Sequence, residues 1–145
     1  MADDAAPDLP ARMLPNLQDH NRMFWTGGVD GHLLISQCVQ CGLWVSPPAV
    51  DCPDCGGGLE ARPVSGRGTV FTYTVNHQPF NPEVPVPYVI AIVQLDEQDD
   101  LRIAANIVDC EPDSVYVGLP VEVRFERHEV DGEGVFVPVF APRSA

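Results

Sequence analysis

Hydrophobic and polar positions change rhythm twice along the chain. Between residues 16 and 26, Leu17, His20 and Phe24 recur at helical spacing, Met23 sits beside Phe24, and Asn16 stands where an N-cap belongs. Gly27 and Gly28 stop the pattern, so the spacing predicts a short helix ending in Phe24 and Trp25. One such helix cannot bury two bulky aromatics by itself and needs the rest of the chain, or a partner, to pack on. Residues 31–62 then offer only short apolar pieces, 32–35 and 43–45, set around cysteine turns.

From Gly66 onward the period becomes that of strands. Residues 69–75 are rich in β-branched and aromatic side chains, and residues 88–95 are almost wholly apolar, a pattern expected of a strand buried on both faces. Leu101, Ile103, Ala105 and Ile107 alternate with Arg102, Ala104 and Asn106, and Val121, Val123 and Phe125 alternate with Glu122, Arg124 and Glu126. Val135, Val137 and Val139 form one face of a last strand, with Phe136 and Phe140 on the other. Polar breaks at 96–100 and 130–134 read as turns facing solvent, and 110–120 has room for a turn of helix. Residues 77–87 hold four prolines and predict a stiff loop. Five strands in so short a span point to a small closed barrel, because closure removes exposed edges.

Composition narrows the function. The chain has 145 residues, 21 acidic and 8 basic, for a net charge of −13. Every basic residue is arginine, scattered from Arg12 to Arg143, so Schiff-base lysine chemistry is excluded and phosphate neutralisation is poorly served. No nucleic-acid partner is expected. Apolar runs stay far below the ~20 residues of a membrane span. The first ten residues carry Asp3, Asp4 and Asp8 and no cation, the opposite of a secretion signal. A cytoplasmic protein with no membrane partner is the expectation. Residues 1–15 are expected to be a disordered tail.

The chemistry concentrates in four cysteines. Cys38 and Cys41 are followed by Gly42, and Cys52 and Cys55 by Gly56. Two residues between cysteines let both sulfurs reach one ion from a tight turn, and the glycine admits the positive φ such a turn demands. Two such knuckles make the tetrahedral thiolate set that structural Zn²⁺ prefers. Disulfides fit poorly with an odd fifth cysteine and no secretion signal, and redox chemistry fits poorly with a doubled motif that opens no helix. Iron would accept the same ligands. A closed four-thiolate site leaves no position for water and is not catalytic. Residues 31–62 bury so little apolar surface that the metal is expected to be needed for their folding.

Cys110, between Asp109 and Glu111, reads as a small half-buried residue at a strand end, and its acidic neighbours would weaken it as a thiolate. His20, His32, His77 and His128 show no metal spacing; His77, where the first barrel strand enters the proline-rich loop, is the one histidine singled out for a functional test. No nucleophile elbow, zinc-protease motif, P-loop or dinucleotide fingerprint is present. On these residues alone the chain is a binding or interaction module.

The order of features carries a resemblance: a helix ending in Phe24 and Trp25, the four-cysteine ribbon, Gly66, Gly68 and Val70 leading to Tyr73 and Val75, then Pro87 to Asp96, Gly118 to Val121, and Pro138 to Phe140. It resembles the zinc-ribbon/OB-fold family catalogued as domain of unknown function 35, over roughly residues 16–142. The resemblance implies a mainly β protein: a disordered tail over 1–15, an N-terminal helix within 16–30, a rubredoxin-like zinc ribbon over 31–65, and a five-stranded OB-fold barrel over 66–145. The family usually carries glycine shortly after the acidic residue that ends the second barrel strand, and here residues 96–100 hold none. The resemblance also implies a role. Members resemble non-catalytic accessory subunits of thiolase-fold enzymes, acyl-CoA thiolases or retro-aldolases that shorten steroid side chains, and some associate with hot-dog-fold hydratases. The catalytic residues then lie on the partner, with acyl-CoA at the shared site. Because CoA is polyanionic and this chain acidic, the partner is expected to hold most of the phosphates, with Arg62 or Arg67 assisting. The competing expectation is an OB-fold nucleic-acid module, which needs exposed aromatics set among cations; Phe71, Tyr73 and Tyr88 are instead expected in the core.

Overall fold

In the computed structural model, residues 12–144 are described. Most of the expected tail, residues 1–11, lies outside them, and residues 12–15 run as irregular chain along the barrel. Helix α1 spans Arg22–Thr26 and continues as a 3₁₀ turn, Gly27–Asp30. This is shorter than the helix predicted from residue 16. Asn16 does not cap it. The Asn21 side chain takes the Gln18 N–H at 2.7 Å and donates to the Asn16 carbonyl at 3.2 Å, which holds the preceding residues in turns.

The ribbon is a three-stranded antiparallel sheet in the order β2-β1-β3, with β1 at Leu33–Cys38, β2 at Trp44–Val45 and β3 at Leu59–Val64. Beyond it, β4 (Arg67–Asn76), β5 (Tyr88–Leu95), β6 (Arg102–Ile107), β7 (Pro120–Val130) and β8 (Glu133–Pro142) form a closed barrel in the order β4-β5-β6-β8-β7. The five strands and the 3₁₀ turn at Pro112–Ser114 follow the sequence pattern. The last hairpin is longer than its pattern. Asp131 and Gly132 both take positive φ (51° and 82°), the two-residue turn whose twist matches paired strands, and Val130 opposes Glu133 directly across it.

Alternation holds in β5, where Val89, Ala91, Val93 and Leu95 are buried while Ile90 is 41% exposed. The strand is therefore fully covered on one face only, and the expectation of two buried faces fails: among the described residues its outer side meets segment 12–15, α1 and the loop at Val84 and Pro85, which leave Ile90 exposed. In β4 the register shifts between Val70 and Thr72, and β7 pairs only with residues 67–69. Past that point β4 loses one neighbour, and Phe71 (45%) and Tyr73 (37%) are exposed rather than core, with Tyr88 half-buried. The bulge re-aims the side chains and the missing neighbour uncovers them.

One apolar core runs through all parts. Phe24 of α1, Leu33 and Ile35 of β1 and Val64 of β3 pack into the same cluster as Val93, Leu101, Val121 and Phe140 of the barrel. The helix with its aromatic end thus packs on its own chain. α1 and the 3₁₀ turn lie against β8, and Gly28 sits so close to Phe136 and Phe125 that a Cβ there would come within 2.4 and 2.8 Å of their carbons. The ribbon is also bound by polar contacts to the turn after β5. The Gln98 amide accepts from the Trp44 N–H at 3.0 Å and donates to the Trp44 carbonyl at 3.1 Å, and Glu97 accepts from Ser65 N–H at 2.7 Å. The turn without glycine is therefore a clamp, where the sequence pattern read only solvent-facing residues. Asp99 and Asp100 in it are exposed.

Phe140 has no exposed surface. Phe140→Ala is expected to lower the unfolding free energy by about 3–5 kcal/mol, measured by urea denaturation.

Candidate metal centre and the covered barrel face

Cys38 ends β1 and Cys41 lies in the turn toward β2; Cys52 and Cys55 lie in a second turn before β3. The two knuckles are built alike. The Gly42 N–H donates to the Cys38 carbonyl at 3.1 Å, and the Gly56 N–H to the Cys52 carbonyl at 2.9 Å, with φ of 80° and 75° at the glycines. In the first, the N–H groups of Gln40 and Cys41 point at Cys38 Sγ (3.3 and 3.4 Å); in the second, that of Asp54 points at Cys52 Sγ (3.4 Å). The Cys52 N–H closes the second knuckle on the Gly57 carbonyl at 3.0 Å, and the Val39 N–H ties the first knuckle to the Gly58 carbonyl beyond the second, also at 3.0 Å.

The four Sγ atoms lie within 4.8 Å of one another, and Cys38–Cys55 and Cys41–Cys52 are 3.4 and 3.7 Å apart. That is far beyond an S–S bond of about 2.05 Å. It is close to the roughly 3.8 Å between ligands of a tetrahedral site with ~2.3 Å metal–sulfur bonds. Cys38 and Cys52 are buried and Cys41 and Cys55 exposed, so the site has a closed side and an open rim. The N–H of Cys41, with that of Gln40, holds the Cys38 thiol down at about 6. Cys41 goes to about 12: the Leu43 N–H favours its thiolate, but desolvation and the neighbouring sulfurs outweigh it. A bound cation would supply the attraction that lets the sulfurs lose their protons together. A Cβ on Gly57 would stand 2.9 Å from Cys38 Sγ and 3.2 Å from Cys55 Sγ.

The other singled-out residues do not join this cluster. His77 and His32 are exposed, and Cys110 is half-buried against the core. Arg62 pairs with Glu60 at 3.3 Å, and Arg67 has no carboxylate partner among the described residues. Sequence reasoning missed a different group. Arg12 bonds Glu126 Oε1 at 3.0 Å and Asn106 Oδ1 at 2.9 Å, and His128 Nε2 lies 3.2 Å from the same Glu126 oxygen. Glu126 and His128 share a face of β7 by their spacing, which was the available signal; Arg12 comes from 114 residues away and left none. This group pins residues 12–15 over the outer face of β5 and β6, the face on which OB barrels take their ligands, and beneath it lies a cleft of about 640 Å³.

A four-cysteine ribbon joined to a closed OB barrel defines the class. A family model described as the ChsH2 rubredoxin-like zinc ribbon domain matches residues 25–60, and one described as the ChsH2 C-terminal OB-fold domain matches residues 61–126. The chain belongs to this DUF35/ChsH2 family. A DUF35 domain-containing scaffold protein of Methanocaldococcus jannaschii is 42% identical over 67% of this chain and 70% of its own length. A probable enoyl-CoA hydratase alpha subunit of Thermomonospora curvata is 33% identical over 90% of this chain, which spans only 40% of that subunit. In Mycobacterium tuberculosis the 3-oxo-4,17-pregnadiene-20-carboxyl-CoA hydratase alpha subunit is 32% identical over 85% of this chain and 38% of its own length. A chain of the Ltp2-ChsH2(DUF35) aldolase superposes with a TM-score of 0.76 at 32% identity, over 89% of this chain and 98% of that one.

Gly57→Ala is expected to push the sulfurs apart and weaken metal binding at least about tenfold while leaving the barrel intact, read by titration with Co²⁺ and its thiolate absorption. Because Leu33, Ile35 and Val64 are anchored in the common core, a strong chelator is expected to raise hydrogen exchange across residues 39–58 and spare β1, β3 and the barrel.

Proposed function

We infer that this chain is a non-catalytic accessory subunit of a thiolase-superfamily enzyme, an acyl-CoA thiolase or a steroid side-chain retro-aldolase, and that Cys38, Cys41, Cys52 and Cys55 hold one structural Zn²⁺. The observation that carries the role is the near-complete overlap with a chain of the Ltp2-ChsH2(DUF35) aldolase. Relatives named as scaffold proteins support the same reading, as do hydratase subunits of which this chain matches a part. A hot-dog-fold hydratase is a second partner consistent with those names. The tetrathiolate geometry supports zinc in a structural role, since all four positions are protein sulfurs and none is left for water. Within the complex the subunit assembles the catalytic chain and shapes the acyl-CoA site, and the partner contributes the groups that react. With a net charge of −13, the partner supplies most of the cations for the CoA phosphates. Among the described residues no helix is long and apolar enough to cross a membrane.

One contact favours the nucleic-acid reading: the Arg102 guanidinium lies 3.8 Å over the Phe71 ring, an exposed cation on an exposed aromatic. It is a single pair. The face on which OB barrels stack bases is crossed here by the chain's own residues 12–15, and a second cation there, Arg12, is already paired with Glu126.

Affinity capture of the tagged protein from its own source lysate, followed by mass spectrometry, is expected to bring down a thiolase-fold chain in near-equal amount. Capture of nucleic-acid machinery alone, or of nothing stoichiometric, overturns the accessory-subunit reading. Metal analysis of the purified protein is expected to give one zinc per chain, and a coloured iron form overturns the zinc assignment.

A further inference from the structure

The cleft on the barrel's outer face is more than a gap under the N-terminal segment. Its floor is small, with Ala104 on β6, and its walls are large: Tyr88 and Ile90 on β5, Trp25 at the end of α1 and Leu14 in the crossing segment. Small residues under bulky ones give depth to what is otherwise a flat sheet face. The volume, about 640 Å³, falls within the range of small-molecule sites, whose walls are mostly apolar with a few convergent polar groups. Those groups are here at one end: Arg12, Asn106 and Glu126, with His128 behind.

The charges at that end are already matched. The Arg12 guanidinium is shared between Glu126 and Asn106, and both Arg12 and Glu126 are largely buried. An anion entering the cleft would have to displace Glu126 from Arg12 in a strongly acidic protein. A free cation is no better served, since Glu126 is taken. What remains open is apolar wall, with hydrogen-bonding capacity left at the amide of Asn106, whose Nδ2 gives one hydrogen to the Val89 carbonyl at 2.8 Å and keeps the other. A partner's helix fits poorly: at a diameter of about 10–12 Å it would fill this volume in little more than one turn, too short for anchors spread over two turns.

We propose that this cleft is a binding site for an uncharged, largely apolar small molecule, seated on Ala104 between Tyr88, Ile90 and Trp25 with its polar end toward Asn106. The segment carrying Arg12 and Leu14 is the strap that encloses it. The inference does not depend on the accessory-subunit reading, because every wall belongs to this chain.

The test uses the full chain alone and the neutral dye Nile red. Saturable one-to-one binding is expected, with backbone NMR shifts changing at residues 88–90 and 104–106. Ala104 is exposed, so Ala104→Trp fills the cleft from its floor without touching the core. It is expected to weaken binding at least about tenfold with an unchanged thermal midpoint, while Ala104→Ser binds as the parent does. Decanol is expected to displace the dye, and decanoate at equal concentration to leave it in place. Absence of saturable binding, equal binding by Ala104→Trp, or displacement by decanoate but not decanol overturns the proposal. So does a dimer in sedimentation that dissociates when the dye binds, since the cleft would then be the seat of a second copy. Any of these results leaves the capture experiment, and the accessory role it tests, untouched.

Discussion

The barrel closes through a single backbone bridge. Strands β6 and β8 run parallel and pair at Ile107 and Phe140, a bridge that includes the bond from the Val108 N–H to the Phe140 carbonyl at 2.8 Å. Every other seam is antiparallel, and most are longer. So short a ladder cannot hold the closure by itself; burial does, with Phe140, Val121 and Val93 showing almost no surface. The rest of the molecule is built on that seam. β8 carries α1 and the 3₁₀ turn, α1 brings Trp25 to the edge of the outer face, and the segment before it is drawn across that face to reach Glu126. A barrel left open at this point would have no roofed face and no place for the helix.

The ribbon depends on two kinds of cohesion that divide its length. Near the barrel, Leu33, Ile35 and Val64 share the common core, so this half of the sheet is held by burial. At the far end, the knuckles are held by backbone bonds, and an ion on the four clustered sulfurs would add to them. The reading that residues 31–62 bury too little apolar surface does not hold for the strands, because Leu33, Ile35 and Val64 are buried against the barrel. In the accessory role proposed, a ribbon rooted in this way offers its four-cysteine tip apart from the barrel's outer face.

What the sequence made legible was what local rules write. The cysteine pairs each with a following glycine declared the knuckles, period-two alternation declared the last three barrel strands, and β-branched and apolar content declared the first two. The errors fall where a distant neighbour decides. Leu17, His20 and Phe24 have helical spacing, but Asn21 spends its side chain on the turn before the helix, and the helix starts six residues after Asn16. Phe71 and Tyr73 read as core because a regular strand would have put them there; the bulge and the loss of β7 as neighbour expose them. Glu126 read as one more solvent-facing carboxylate, and only the arrival of Arg12 makes it the buried centre of a polar group. In each case the residue type was informative and its partner was not adjacent enough to be seen.

The Gln98 amide, bonded to both the N–H and the carbonyl of Trp44, occupies the outer edge of β2 as a neighbouring strand would. A side chain thus finishes one side of the ribbon sheet, and lateral growth by another chain is blocked there. The opposite border, β3, pairs with β1 alone among the described residues, and carries Pro63 with the exposed Glu60 and Arg62 along its own length. The two borders of the sheet are therefore guarded by different means, one by a side chain standing in for a strand and the other by a proline and charges within the strand itself.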